Sequence, residues 1–496
     1  MRPLLAPALL LALTACAADA SIPPPPAFAP APAPAPAPTP ALAPTPAPPL
    51  PPAPALSFAA QYRALLDQFV ASDTSHGNET GLLTPVAALY RDAGVPVEIL
   101  ESAPGRGNLV ARLKGSGAKK PLLLLAHVDV VPVEGQPWTV PPFAVTEKDG
   151  FLWGRGINDD KSMAAAIVAV TLELARTHAP LARDVIVALT AGEETGGSVG
   201  ARWLTEHHRD LLDASIALNE GGGAQLTDDL GKPVVFGVQV SEKIFQTFVL
   251  EVKGKGGHSS RPPTSGDPVV TLARALVKIG EHRFPAKVLP EAKAYFEAEL
   301  PYARKEMAAA MRHAAASAPH LAPADEVVLS KDAGYNATLR TTCVTTMLDA
   351  APQDNVLPTS VHAKVNCRIL PGETRAEVKA TLEKVVADPA VAFREAENIG
   401  DAATSPFEGE VVDAVKKAVE ARFPGTPVIP SMSSGTTDSR HLRNIGIRAY
   451  GVSPGMGSRA EAAAGHSAHG PDERKSVKWL EPGAEYFRDV VRTLAF

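Results

Sequence analysis

The residues of this chain best suited to chemistry stand at the ends of short apolar runs. Four leucines, Leu122 to Leu125, lead through Ala126 into His127 and Asp129. The run 184–190 is followed by Glu193 and Glu194, and the run 214–218 ends at Asn219 and Glu220. Between the first two lies Gly154-Arg155-Gly156-Ile157-Asn158-Asp159-Asp160-Lys161, a tight glycine turn carrying acids just ahead of an apolar helix pattern. A single histidine or acid pair after a strand is ordinarily a cap or a surface feature. A series of such clusters at successive elements asks for a shared purpose. Imidazole with several carboxylates and no thiolate suits zinc or a comparable divalent ion, and more than four ligands implies two ions sharing a carboxylate. Two adjacent glutamates in a loop can diverge, one ligating while the other accepts a proton from the attacking water.

The elements that would hold these groups alternate. Helical spacing covers 57–73 and 85–94, the leucine run reads as a strand buried on both faces, and 162–178 is a long apolar helix. Strand 184–190, helix 198–208 and strand 214–218 follow, which predicts a mainly parallel sheet with helices on both faces. In open α/β sheets ligands sit beyond the carboxyl ends of the strands, where the acids and His127 stand. From Phe245 the texture changes: 245–253, 338–348 and 360–370 alternate like antiparallel strands, 267–279 and 373–387 are helical, and 391–397 suits one more strand. With a helical stretch near 290–318, this reads as an α+β domain inserted into the α/β one, which resumes with helix 408–422, strand 447–452 and helix 477–495.

In chain order, His127-x-Asp129, the turn ending at Lys161, Glu193-Glu194, Asn219-Glu220-Gly221-Gly222, Gly256-Gly257-His258-Ser259-Ser260 and His469-Gly470-Pro471-Asp472-Glu473 resemble the M20 metallopeptidases. The likeness runs from about Phe58 to the C-terminus. His127-Val-Asp-Val-Val-Pro132 with Trp138 and Pro141-Pro142-Phe143 is most similar to the branch of Gly-Xaa carboxypeptidases and N-acyl-amino-acid hydrolases. The resemblance implies a di-zinc hydrolase domain, with Co²⁺ or Mn²⁺ as other candidate ions, and an inserted lid of ferredoxin-like type. It further implies that Asp159 bridges two metals, that His127 and Glu220 complete one site, and that Glu194 and His469 complete the other. Asp129 would orient His127, Glu193 would be the general base, and His258 would bond the developing oxyanion, in dimeric relatives across a subunit interface. Arg368 would clamp a substrate carboxylate, with Asn355, Gly435 and Thr436 adding contacts; Thr436 stands where relatives often carry Gly or Ala. His466, just ahead of His469, is the competing imidazole. The reaction implied is hydrolysis of an amide bond next to a free carboxylate, on small peptides in the first place and N-acyl amino acids as the alternative, and a homodimer through the lid domain is compatible with the family.

Gly196 to Gly200 also fits G-x-S-x-G, the nucleophile elbow of α/β-hydrolases. That serine turns directly off a strand, whereas here the Glu193-Glu194 loop intervenes, so Ser198 is expected as a helix cap. A tethered peptide-binding protein of the same fold is the other rival; its usual mark, a lost base or ligand, is absent from the motifs.

The N-terminal 16 residues carry one charge, Arg2, and an apolar run too short to span a bilayer, ending in Leu13-Thr14-Ala15-Cys16, which resembles a bacterial lipobox. An ordinary cleaved signal with an incidental cysteine is the alternative. Prolines make up 17 of the 32 residues from Pro23 to Pro54, so this stretch should be an extended spacer, at ~3.1 Å per residue on the order of 100 Å long. The expected organisation is a signal over 1–15, lipidated Cys16 and linker over 16–56, catalytic parts over 57–244 and 401–496, and a lid or dimerisation domain over 245–400. The chain would be anchored through lipid in the bacterial cell envelope, on the periplasmic face or outer membrane. With 48 Lys+Arg against 54 Asp+Glu and no basic block, the basic footprint of a nucleic-acid binder is absent and no such partner is expected. Three cysteines exclude a disulfide framework, though Cys343 and Cys367 are candidates to pair in an oxidising compartment.

Overall fold

The computed structural model describes residues 56–226, 231–351, 353–396, 403–458, 461, 464–466 and 468–496. Cys16, the signal and nearly all of the proline tract lie outside the described residues. Among the described residues no helix is long and apolar enough to cross a membrane.

The leucine run forms a strand, Leu122–His127, with every residue buried. Alternation explains the uninterrupted apolarity: Leu122, Leu124 and Ala126 enter one hydrophobic cluster and Leu123 and Leu125 the other, on the opposite face. Parallel to it run Val185–Thr190 on one side and Ile216–Asn219 on the other, and beyond the latter Arg448–Gly451. These four strands are the centre of a ten-stranded sheet. Its flanks turn antiparallel: Gly107–Leu113 pairs with Val185–Thr190 and carries Val97–Glu101 at the edge, while Pro233–Glu242 pairs antiparallel with Gly223–Leu226. The sequence pattern had not revealed these flanking strands, because Gly, Arg and Glu interrupt their alternation. Helix Lys161–Arg176 buries Ala164, Ala165, Ala166 and Ala169, side chains small enough to let it lie close against the sheet. The helix expected over 85–94 starts earlier, as Glu79–Asp92, and Pro85 sits inside it.

The alternating segment is a second, four-stranded antiparallel sheet in the order Thr342–Asp349, Ser360–Ile369, Ile244–Lys253, Val391–Glu395. Helices Pro268–Glu281 and Arg375–Val386 cover one face, burying Phe248, Leu250, Val365 and Leu382 in a core of their own. This is the βαββαβ arrangement of a ferredoxin-like unit. Cys343 and Cys367 stand opposite each other on neighbouring strands and are disulfide-bonded. The helical stretch is longer than expected, from Pro290–Glu299 through Ala333–Leu339, and forms another small core around Phe296, Met311 and Leu339. Its first helix is tied to the large sheet, Ser241 Oγ donating to Glu291 at 2.7 Å and Gln225 Nε2 to Glu299 at 2.8 Å.

Candidate active site

The carboxyl ends of the parallel strands bring the acids and imidazoles together. His127, the last residue of its strand and 1 % exposed, points Nε2 at Asp159 Oδ1 (2.9 Å) and Glu220 Oε2 (3.7 Å). The other Asp159 oxygen lies 3.3 Å from Nε2 of His469, whose ring also meets Glu194 at 3.0 Å. Asp159 thus stands between two imidazoles with one oxygen toward each. Ligand atoms of His127, Glu193 and Glu220 lie within 4.8 Å of one another, as do those of His127, Asp159 and Glu194.

Buried charges of one sign need compensation. Burial pushes Glu220 up to about 7, and Glu193 well above the usual carboxylate range, with Glu220 adding to the effect. Burial alone would lower His127, but Asp129, Asp159 and Glu220 together raise it well above its ordinary value. His469 is raised to about 10 by Asp159 and Glu194. Oε1 of Glu220 is buried with no hydrogen-bond partner. An orphaned carboxylate oxygen amid imidazoles and further carboxylates, with no thiolate, fits a divalent cation, and the donors suffice for two sharing Asp159.

The surroundings explain the motifs. Asp129 has its backbone oxygen 3.1 Å from His127 Nδ1, while its carboxylate accepts the backbone N–H of Glu193 and of Glu194, both at 3.1 Å. It therefore sets the ring and the glutamate pair at once. Glu473 accepts from the N–H of Asn158 (2.7 Å) and Gly156 (3.1 Å) and from Arg155 (2.8 Å), fastening the turn that presents Asp159. Asp472 accepts from Thr139 through both N–H and hydroxyl, at 2.8 and 2.9 Å. The Pro-Asp-Glu that follows His469-Gly470 is a clasp between distant loops.

Two buried acids had no role of their own in the sequence reading, Asp438 within the Gly435-to-Arg440 loop and Glu242 outside every motif. Asp438 accepts from Thr190 Oγ1 at 2.9 Å, and burial, opposed by His127, holds it up at about 6. Glu242 accepts the N–H and hydroxyl of Thr437 at 2.9 and 2.7 Å. Glu242 closes strand Pro233–Glu242 and Asp438 stands just beyond strand Val428–Ser433, the one signal that would have flagged them.

The cluster opens into a cleft of about 730 Å³ whose far wall is the second sheet. Strand alternation puts Lys364, Asn366 and Arg368 on its cleft face and Ala363, Val365 and Cys367 in its core. Arg368 and Arg440 both lie against the Phe245 ring, their guanidinium carbons 5.6 and 5.3 Å from its centroid. Among the described residues no carboxylate pairs with Arg368. Gly435 and Thr436 also line the cleft.

Other residues singled out in the sequence stand outside the cluster. His258 and Asn355 do not reach this cleft: both are exposed, in a patch where His258 pairs with Val356 and the Asn355 carbonyl accepts from Ser259. His466 packs edge-on to Trp153, away from the cluster. Ser198 is exposed and caps nothing; Gly200 is the N-cap of helix Ala201–His207. The elbow-like glycines have packing reasons, since a Cβ on Gly200 would sit 1.8 Å from the Ala191 carbonyl and Gly197 has φ +74°.

The family model described as peptidase family M20/M25/M40 matches residues 123–493, about three quarters of the chain. An N-fatty-acyl-amino acid synthase/hydrolase, PM20D1, of Xenopus tropicalis is 28% identical over 383 residues, covering 75% of this chain and 72% of that protein. A succinyl-diaminopimelate desuccinylase of Cereibacter sphaeroides is 29% identical over 428 residues, covering 84% and 95%. The fold matches the M20 metallo-carboxypeptidase Sso-CP2 of Sulfolobus solfataricus with TM-score 0.66 at 19% identity, covering 88% of this chain and 99% of that one. Human carnosine dipeptidase 1 gives 0.63 at 16%, covering 88% and 97%. With its motifs in order and their side chains gathered at one end of the sheet, the chain belongs to peptidase family M20/M25/M40 and is a metal-site hydrolase of peptide or amide bonds.

Proposed function

We propose that the enzyme cleaves an amide bond next to a free carboxylate with two zinc ions, acting on small peptides. His127 and Glu220 would hold one ion, Glu194 and His469 the other, and Asp159 both. Bound metal supplies Lewis-acid activation of the scissile carbonyl and of the attacking water. Glu193, beside His127 and Glu220, takes the proton from that water and returns it to the leaving nitrogen. Arg368 receives the substrate carboxylate in a bidentate grip. The observation that carries this reading is the pairing of Asp159 with two imidazoles across a cleft from an arginine that has no acid partner among the described residues.

N-acyl amino acids are a second reading, favoured by the 28% identity to the N-fatty-acyl-amino acid synthase/hydrolase. A tethered binder without turnover is disfavoured by Glu193 standing in the cluster. His258 and Asn355 would act only from a second copy, joined through the lid. The edge strand Thr342–Asp349, with Val344, Met347 and Leu348 exposed, is the surface that supports such pairing. The lipobox-like Leu13-to-Cys16 segment and the spacer support an envelope lipoprotein; Cys16→Ala should then move the protein from the membrane to the soluble fraction, and continued membrane association would remove Cys16 as the anchor.

The decisive experiment starts the chain near Ser57 and offers dipeptides and N-acyl amino acids, with chelator and with zinc restored, products read by mass spectrometry. Cleavage abolished by chelator and regained with zinc is expected. Glu193→Ala should retain zinc yet lose turnover by several orders of magnitude; unchanged turnover excludes Glu193 as the base.

A further inference from the structure

A cavity of about 870 Å³ lies at the other end of the large sheet from the acids. Pro121, Ser215 and Ile447 line it, each standing immediately ahead of one of the parallel strands Leu122–His127, Ile216–Asn219 and Arg448–Gly451. It therefore sits beneath the amino ends of these strands, whereas the metal-type cluster sits beyond carboxyl ends.

The charge is reversed as well. In a chain of net charge -6, five cationic side chains line the cavity, Lys119, Lys120, Arg183, Arg209 and Arg448, against the acids Asp213 and Glu410. Glu410 is already engaged: Arg183, itself buried, donates to its two oxygens at 3.1 and 2.5 Å. Asp184, next to Arg183, is held by Arg112 at 3.1 Å and Lys114 at 2.9 Å. Arg209 donates to the Ile445 carbonyl at 2.9 Å, which fixes its guanidinium at the cavity and leaves its other N–H groups to spare. Among the described residues no carboxylate pairs with Lys119, Lys120, Arg209 or Arg448. These four are exposed while Ala214 and Ile447 are buried, so an apolar floor is overhung by cations. Cations gathered from three separate segments repel one another, and a multivalent anion relieves that repulsion better than a lone carboxylate, which one arginine satisfies. Phosphate, with several charged acceptor oxygens, is the group that lysine and arginine bind together.

We propose that this cavity binds the phosphate of an organic phosphate, whose organic part covers the apolar floor. A soluble phosphate ester and the headgroups of an anionic phospholipid share that chemistry. The site is separate from the cleft and does not depend on what the cleft cleaves. One contact favours the lipid source. Helix Lys161–Arg176 starts beside Asp159 and runs away from the cluster, and its last residue, Arg176, donates to Gln61 in the first turn of helix Phe58–Ala71 at 3.2 Å. The N-terminal helix thus begins at the end of the sheet that carries the cavity, so a chain tethered by its N-terminus would turn this end to the membrane and leave the cleft open to solution.

The test uses the full chain with Cys16→Ala, so that no protein-bound lipid contributes. Calorimetry with phenyl phosphate, and co-sedimentation with phosphatidylcholine vesicles with and without phosphatidylglycerol, are run on this protein and on two charge reversals, Lys119→Glu with Lys120→Glu and Arg209→Glu with Arg448→Glu. Arg283→Glu with Arg312→Glu, exposed in the inserted domain, makes the same change in net charge away from the cavity. Thermal melting checks folding, and the lysine pair, whose side chains bond nothing in the protein, keeps the test valid if the arginine pair melts early. Each cavity reversal should weaken binding by about tenfold or more and the distant reversal far less, with added salt weakening it further. Cavity-dependent binding of phenyl phosphate alone assigns a soluble ester, and cavity-dependent binding of the phosphatidylglycerol vesicles assigns the headgroup. No binding of either probe, or equal losses in the cavity and distant reversals, overturns the site.

Discussion

Asp129 carries more of the site than its place beside a histidine suggests. Its carboxylate holds the N–H groups of Glu193 and Glu194 while its backbone carbonyl faces Nδ1 of His127, so one residue aligns groups that follow two different strands. Asp129→Asn keeps the volume but replaces one acceptor oxygen with a donor, leaving one of the two N–H groups unpaired. The expected result is a loss of about 10–100-fold in metal affinity or turnover, as for other residues that orient metal ligands. Metal titration beside steady-state kinetics checks it, and wild-type values in both would remove Asp129 from the positioning role. His127, the glutamate pair and Glu220 were readable from sequence because each follows an apolar run that suits a strand, and Asp159 because it sits in a glycine turn just ahead of an apolar helix. Asp438 and Glu242 were not, because their partners Thr190 and Thr437 are distant in sequence or belong to a loop with no period.

Among the elements, the turn from strand Val185–Thr190 into helix Ala201–His207 decides where Glu193 and Glu194 stand. Its glycines answer to close approach: the Ala191 carbonyl occupies the space a Cβ on Gly200 would need. Gly200→Ala should therefore displace the turn, lowering both stability and turnover, while Ser198→Ala, at an exposed position, should change neither. Denaturant unfolding and kinetics on the pair separate the cases, and loss of activity in Ser198→Ala would reopen a serine mechanism. The second sheet was legible because period-two alternation marks one buried and one open face, which is also why Arg368 and Cys367, adjacent in sequence, end on opposite sides. The edge strand Val97–Glu101 was missed since partial exposure and two glutamates blur that alternation, and its neighbour Gly107–Leu113 since, nearly all buried, it holds Gly107, Asn108 and Arg112 amid its apolar residues.

At the scale of the whole molecule, the chain contributes two walls to one cleft: the carboxyl ends of the large sheet and the open face of the small one. Closure between them would bring Arg368 toward the acids. His258 and Asn355 stay outside the cleft of their own chain, and the pairing proposed above would supply them from a second copy. Light scattering on the chain from Ser57 should give a dimer, and Leu348→Asp on the exposed edge strand should shift it toward monomer with reduced turnover. A fully active monomer would discard both residues from the mechanism.

The order of motifs and the alternation of strands and helices follow from local rules of burial and spacing, so the sequence by itself determined the fold class, the ligand-type residues and the hydrolytic chemistry they suit. Which imidazole joins the cluster, which glutamates share Asp129 and which face of the second sheet looks into the cleft were decided by the tertiary structure. Those outcomes depend on contacts between segments hundreds of residues apart, such as Glu473 with the turn at Gly156, and no local period encodes a meeting of that kind.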